Sequence, residues 1–213
     1  MALDCLVSTI RHYGIDMDDC VIYDFETLGQ DQTKSAVVSF AMITFSERHY
    51  SSDPYEFDEL INKANFIKFD VKDQINNYGR KINKETLDWW NQQGVAAKKQ
   101  LNPSSNDRKI SELYSFIKDN IQGMSIKKTY TRGNTFDPMF LTSLMRDTSN
   151  EEPFHWRTIR DTRSMIDGMA FGMKLNNNFM PDGYGEQFIA HDPRHDCALD
   201  IIRMQMLAQS IVQ

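Results

Sequence analysis

Val21-Ile22-Tyr23-Asp24-Phe25-Glu26-Thr27 is the stretch that decides the fold. Val21 to Tyr23 form a short apolar run of strong β-formers, which reads as the end of a buried strand. Side chains alternate along a strand, so Asp24 and Glu26 project from one side while Phe25 points to the other. Two carboxylates side by side repel unless a cation holds them, and hard oxygen donors suit magnesium or manganese.

A carboxylate pair at a strand end is, taken alone, more often a solvated terminus, because acids are common where strands meet loops. The remaining acids shift the balance. Asp137 closes Arg132-Gly133-Asn134-Thr135-Phe136-Asp137-Pro138 and precedes an apolar helical pattern. His191 and Asp196 bracket His191-Asp192-Pro193-Arg194-His195-Asp196-Cys197-Ala198 near the C-terminus. An acid pair on a strand, an acid at a helix start and a histidine five residues before an acid form a far rarer conjunction.

Local chemistry places the last of these. Asp192 is a good N-cap and Pro193 a good first helical residue, which predicts that the final helix starts there. His191 then lies just outside the helix on a loop, and Asp196 about one turn in. His195 competes with His191, but its place inside the helix fits packing better. Asp192 is explained by capping, whereas Asp200, a turn beyond Asp196 on the same face, stays open as a ligand. Cys197 reads as a small buried packing residue, since no separate base is available to activate it.

Working outward, Val37 to Phe45 predicts a second strand after a turn through Gly29 to Lys34. Alternation over Tyr55 to Ile61 predicts a third, edge-like strand. Asn83 to Gln93 predicts a helix capped by Asn83 and stopped at Gly94, and a longer helix follows Ser105 and stops at Gly123. Lys128 to Arg132 and Arg157 to Thr162 supply a fourth and a fifth strand, with a surface loop at Thr148 to Pro153. The expectation is one α/β domain over residues 1–213, a mixed five-stranded sheet flanked by helices. Residues 1–19 form an N-terminal extension with a short helix through Leu6, Ile10 and Tyr13, or contribute little.

Composition agrees. The chain has 213 residues, 40% hydrophobic and 25% charged, as in ordinary soluble domains. No apolar run has membrane-spanning length and the start lacks a signal-peptide pattern, which points to a cytoplasmic protein with no membrane partner. Three cysteines, an odd number without metal spacing, suit reduced thiols. A net charge of −6 argues against a passive nucleic-acid coat, which needs a basic surface. It leaves room for an enzyme that grips only a strand end and lets cations supply local positive charge.

The set Asp24-Phe25-Glu26-Thr27, Asp137 and His191-x4-Asp196 resembles the DEDDh 3′–5′ exonucleases, which have a ribonuclease-H-like core. Three further features resemble the branch that holds bacteriophage exonuclease A and related bacterial exoribonucleases. They are the Arg-Gly-x-x-Phe-Asp approach to Asp137, the Glu-Thr-x-x-Trp-Trp stretch from Glu85 to Trp90, and the closing His-Asp-x-x-His-Asp-Cys-Ala. The resemblance runs from about Val21 to the C-terminus.

It implies a nuclease releasing nucleoside 5′-monophosphates from single-stranded 3′ ends, DNA first and RNA as the alternative. Asp24, Glu26, Asp137 and Asp196 would hold two divalent cations, Mg2+ or Mn2+, which clamp attacking and leaving oxygens when about 4 Å apart. His191, with an ordinary pKa near neutrality, would take the proton from the attacking water. By the same resemblance Thr27 and Leu28 would touch the terminal nucleotide, with Leu28 against its base. Asn134 and Arg132 border the site, Arg132 as a phosphate or sugar ligand or equally as a salt-bridge partner. Adjacent helical residues point about 100° apart, so at most one of Trp89 and Trp90 faces the groove to stack on a base. A retired end-binding module is a second class of reading. A homodimer is compatible with the Met-rich last helix.

Overall fold

The computed structural model describes residues 19–212. The segment expected to form a short helix through Leu6, Ile10 and Tyr13 lies outside the described residues. In chain order the elements are β1 (Cys20–Thr27), β2 (Val37–Phe45), α1 (His49–Ser52), α2 (Phe57–Lys63), β3 (Asn65–Lys68), α3 (Val71–Tyr78), α4 (Lys84–Asn91) and α5 (Val95–Lys98). Then come α6 (Leu113–Asn120), β4 (Lys128–Thr131), α7 (Asp137–Asp147), β5 (Ile159–Asp161), α8 (Thr162–Met169) and α9 (Pro193–Val212). The strands form one five-stranded sheet in the order β3-β2-β1-β4-β5. Its first three strands are antiparallel, and β1, β4 and β5 run parallel. Helices cover both faces, the mixed α/β architecture that the sequence implies.

Strand alternation builds the two faces. Val21, Tyr23 and Phe25 share one apolar cluster with Phe40, Met42 and the α7 residues Phe140, Leu141 and Leu144. Cys20 and Ile22 belong to the other cluster, with Ile43, Phe45 and the α9 residues Cys197, Ala198, Ile201 and Ile202. Asp24 and Glu26 therefore continue the face that α9 covers. In the β1–β2 register Asp24 opposes Ala41 and Glu26 opposes Ser39. These small partners let α9 come close, and Cys197 Sγ lies 4.0 Å from the Ala41 carbonyl oxygen.

The strand expected over Tyr55 to Ile61 is a helix instead. Phe57, Leu60 and Ile61 also have helical spacing, and a capping box between Glu56 and Glu59 starts α2. Phe57 and Leu60 are buried in the α9 cluster. The edge strand follows as β3, four residues long. The helix after Ser105 is also shorter than expected, beginning with a 3-10 turn at Ile110–Glu112 before α6. The helix capped by Asn83 ends at Asn91, and Gly94 opens α5 rather than closing α4. Asp192 caps α9 as expected, accepting the Arg194 N–H at 3.1 Å. No helix among the described residues is long and apolar enough to cross a membrane.

Candidate active site

Where β1 and β4 diverge, the sheet opens into a cleft of about 830 Å³. Asp24, Glu26, Thr27, Trp89, Trp90, Arg132, Asp137, His191 and Asp196 all line it. The parallel pairing of β1 with β4 is described only from Cys20 to Ile22. Further along, the Phe25 N–H donates to Asp137 Oδ1 at 3.1 Å. A strand amide thus pins the first residue of α7 between Asp24 and Glu26. Asp196 comes from the first turn of α9 and accepts the His191 N–H through Oδ2 at 3.0 Å. Donor atoms of Glu26, His191 and Asp196 lie within 4.8 Å of one another.

The electrostatics of the acid cluster are compatible with a bound cation. Burial, then repulsion from Asp137 and Glu26, holds the Asp24 carboxyl well above its ordinary range. Burial and Asp196 do the same to Glu26. Burial pushes Asp137 up to about 7, against the opposing pull of the Phe25 N–H and Arg163. Asp196 is pushed up to about 7 by burial and then by Asp200. Burial and mutual repulsion outweigh the nearby arginines, so four carboxylates forced together favour protons, and a divalent cation is the other species that relieves them. Oxygen donors with one imidazole nearby fit Mg2+ or Mn2+.

His191 has φ of +63°, in the left-handed region. Its ring meets Trp89 edge-on at 4.7 Å between centroids and Trp90 at 5.9 Å. Burial lowers its pKa below the ordinary histidine value, favouring the neutral ring that can accept a proton. Both tryptophans line the cleft, against the expectation that at most one faces it, but they differ in burial. Trp90 is buried and donates from Nε1 to the Thr27 carbonyl oxygen at 3.0 Å, whereas Trp89 is 40% exposed. His195 packs edge-on against Phe57 and accepts the Ile189 N–H, so its place is in the core.

Other candidates are placed differently. Arg132 donates to Asp200 Oδ1 at 2.6 Å and to the carbonyl oxygen of Asn177 at 2.7 Å, the salt-bridge alternative of its two readings. Asp200 also takes Arg203 at 2.8 Å and the Thr162 hydroxyl. Leu28 is buried with Ala36, Val38 and Trp90, and Asn134 is exposed; neither lines the cleft. Thr27 does, with its hydroxyl bonded to the Gly29 carbonyl oxygen at 2.9 Å. A Cβ on Gly29 would lie 2.3 Å from Ser35 Oγ, so the turn behind the acid pair requires glycine. Cys197 is buried with its thiol pKa raised by that burial, as a packing residue requires. Sequence reading passed over Arg163, a cleft residue that makes no ion pair among the described residues. Its only local signal is its place one step after Asp161-Thr162.

Comparisons with known proteins show the family and the fold. A family model described as the 3′–5′ exoribonuclease Rv2179c-like domain matches residues 19–198. The exodeoxyribonuclease of Enterobacteria phage T4 is 32% identical over 201 residues, covering 86% of this chain and 86% of its own length. Among solved structures, exonuclease I from Methylocaldum szegediense aligns with a TM-score of 0.57 at 15% identity, over 90% of this chain and 41% of that one. The zinc-bound complex of E. coli exonuclease I with single-stranded DNA gives 0.54 at 11%, over 89% and 39%. The chain spans about two-fifths of the length of these structures, and the likeness concerns the fold.

Proposed function

This chain belongs to the Rv2179c-like 3′–5′ exoribonuclease domain family, and from that premise we propose a metal-dependent 3′–5′ exonuclease that trims single-stranded DNA to nucleoside 5′-monophosphates. The observation that carries the reading is the convergence of Asp24, Glu26, Asp137 and Asp196 on one cleft beside His191. The working unit is a single exonuclease domain, with the family match beginning at residue 19.

In this reading the four carboxylates hold two divalent cations, Mg2+ or Mn2+. When bound, the cations supply positive charge against the charge that develops on the attacking, leaving and equatorial oxygens of the phosphodiester. His191 accepts the proton of the attacking water at an imidazole nitrogen, which its half-buried position, lowering its pKa, favours. Trp89 offers its exposed ring to a base near the strand end. Thr27 presents main chain to the terminal nucleotide, with Leu28 supporting that turn from below. Arg132 and Asn134 sit at the margin, where Arg132 contributes by shaping the wall it braces.

RNA is the second reading, favoured by the exoribonuclease description of the family model against the exodeoxyribonuclease activity of the phage relative. The choice rests on contact with a 2′-hydroxyl. The test uses 5′-labelled DNA and RNA of one sequence, with Mg2+ or Mn2+, on a denaturing gel beside Asp24→Ala and His191→Ala. A ladder shortening from the 3′ end and lost in Asp24→Ala is expected, with the faster lane deciding the sugar. No metal-dependent shortening of either strand would sink the proposal and leave an end-binding module.

A further inference from the structure

The left-handed backbone of His191 is a conformation that side chains other than glycine keep only when surrounding contacts hold it. Two contacts do so, one on each side of the residue. Its N–H donates to Asp196 Oδ2 at 3.0 Å, and its carbonyl oxygen accepts from Gln100 Nε2 at 3.0 Å. Gln100 is 91 positions away, in the 3-10 turn Lys99–Leu101. A carbonyl oxygen can only accept, so the amide NH2 must face His191, which leaves Oε1 for Ser39. Ser39 Oγ donates to that Oε1 at 3.0 Å. Ser39 is fully buried in β2, directly opposite Glu26 on β1. A chain of contacts therefore runs from the strand pair that bears the acids, through Ser39 and Gln100, to the peptide of His191.

We propose that Gln100 is a positioning residue for His191, its amide fixing the imidazole relative to the carboxylates. The inference rests on His191 acting as the base. Gln100 does not line the cleft and touches no reacting group; it acts through the backbone of His191 alone. Its partner Ser39 sets the direction of the amide, so the sheet that aims Glu26 also aims the base.

The test is a double-mutant cycle in the full-length protein. Gln100→Ala and Gln100→Met are made in the wild-type and in the His191→Ala backgrounds. kcat and KM are read on 5′-labelled single-stranded DNA with Mn2+, and thermal unfolding is followed alongside. Met keeps the length of the side chain and removes the donor, so a folding defect confined to the alanine variant does not decide the result. Misplacing a base is costly, so each variant should lose about tenfold in kcat with KM within about twofold, and lose nothing further without His191. Full activity in Gln100→Met, or the same loss in both backgrounds, overturns the assignment. If His191→Ala alone keeps the wild-type kcat, the base reading falls and the positioning role with it. That failure is told apart because the single histidine variant alone shows it.

Discussion

Asp196 and Asp200 stand one turn apart on α9 and have different partners. Asp200 is buried between the guanidinium groups of Arg132 and Arg203. Asp196 accepts the His191 N–H and makes no ion pair among the described residues. Removing one acid of a buried ionic cluster leaves charge uncompensated. Asp200→Ala is therefore expected to lose about 3 kcal/mol of stability, measured by urea unfolding. Asp196→Asn should leave the metal-free fold at least as stable while abolishing nuclease activity. Equal destabilisation by both would contradict this division.

The acid cluster sets a pH dependence of known sign. Asp137 and Asp196 are pushed up to about 7 in the fold, against about 4 in an unfolded chain. The native protein holds protons there that the unfolded chain has released. The stabilisation is complete below about pH 4 and is lost as the pH rises through about 7. Metal-free protein should thus lose stability between pH 5 and 8 relative to Asp196→Asn, as calorimetry in a chelator would read. Saturating Mg2+ or Mn2+ should raise Tm more at pH 8 than at pH 5, because cation and proton compete for the same oxygens. A larger metal effect at pH 5 would refute the placement of the cation among these acids.

His191 predicts the acid limb of the rate. Burial lowers its pKa, and in the proposed mechanism the neutral ring takes the proton. At saturating cation, kcat/KM should fall only below the ordinary histidine value of about 6.5 as pH is lowered. His191→Ala should lose that limb along with most of its rate. An acid limb centred above about 7 under those conditions would assign the titration to another group.

The tryptophan pair should separate stability from binding. Trp90, 1% exposed and bonded to Thr27, should cost about 3–5 kcal/mol when replaced by alanine. Trp89, half in the cleft, should cost less than about 1 kcal/mol in stability. Its alanine variant should instead raise KM for single-stranded substrate roughly tenfold if a base stacks there. Unfolding curves and steady-state kinetics on both variants check the contrast, and an unchanged KM in Trp89→Ala would remove it from the substrate path.

The elements that read well are those whose signal is local. The β-rich run before Asp24, the Asn83 and Asp192 caps and the apolar run of β2 each state their conformation within a few residues. Tyr55 to Ile61 misleads because its apolar residues fit both periods, and burial against α9 with the Glu56–Glu59 capping box selects the helix.

The sequence by itself determined the strand that aims Asp24 and Glu26 to one side, the helix start that carries Asp196, and the family resemblance that joins them to Asp137 and His191. Only the tertiary structure decided that Phe25 holds Asp137 between the acid pair and that Arg132 is committed to Asp200. It also decided that Trp90 rather than Trp89 is core, and that Gln100 reaches His191. Alternation and capping are short-range rules written in neighbouring residues. Which distant partner satisfies a buried charge or amide depends on how the packed layers meet, and no local pattern records it.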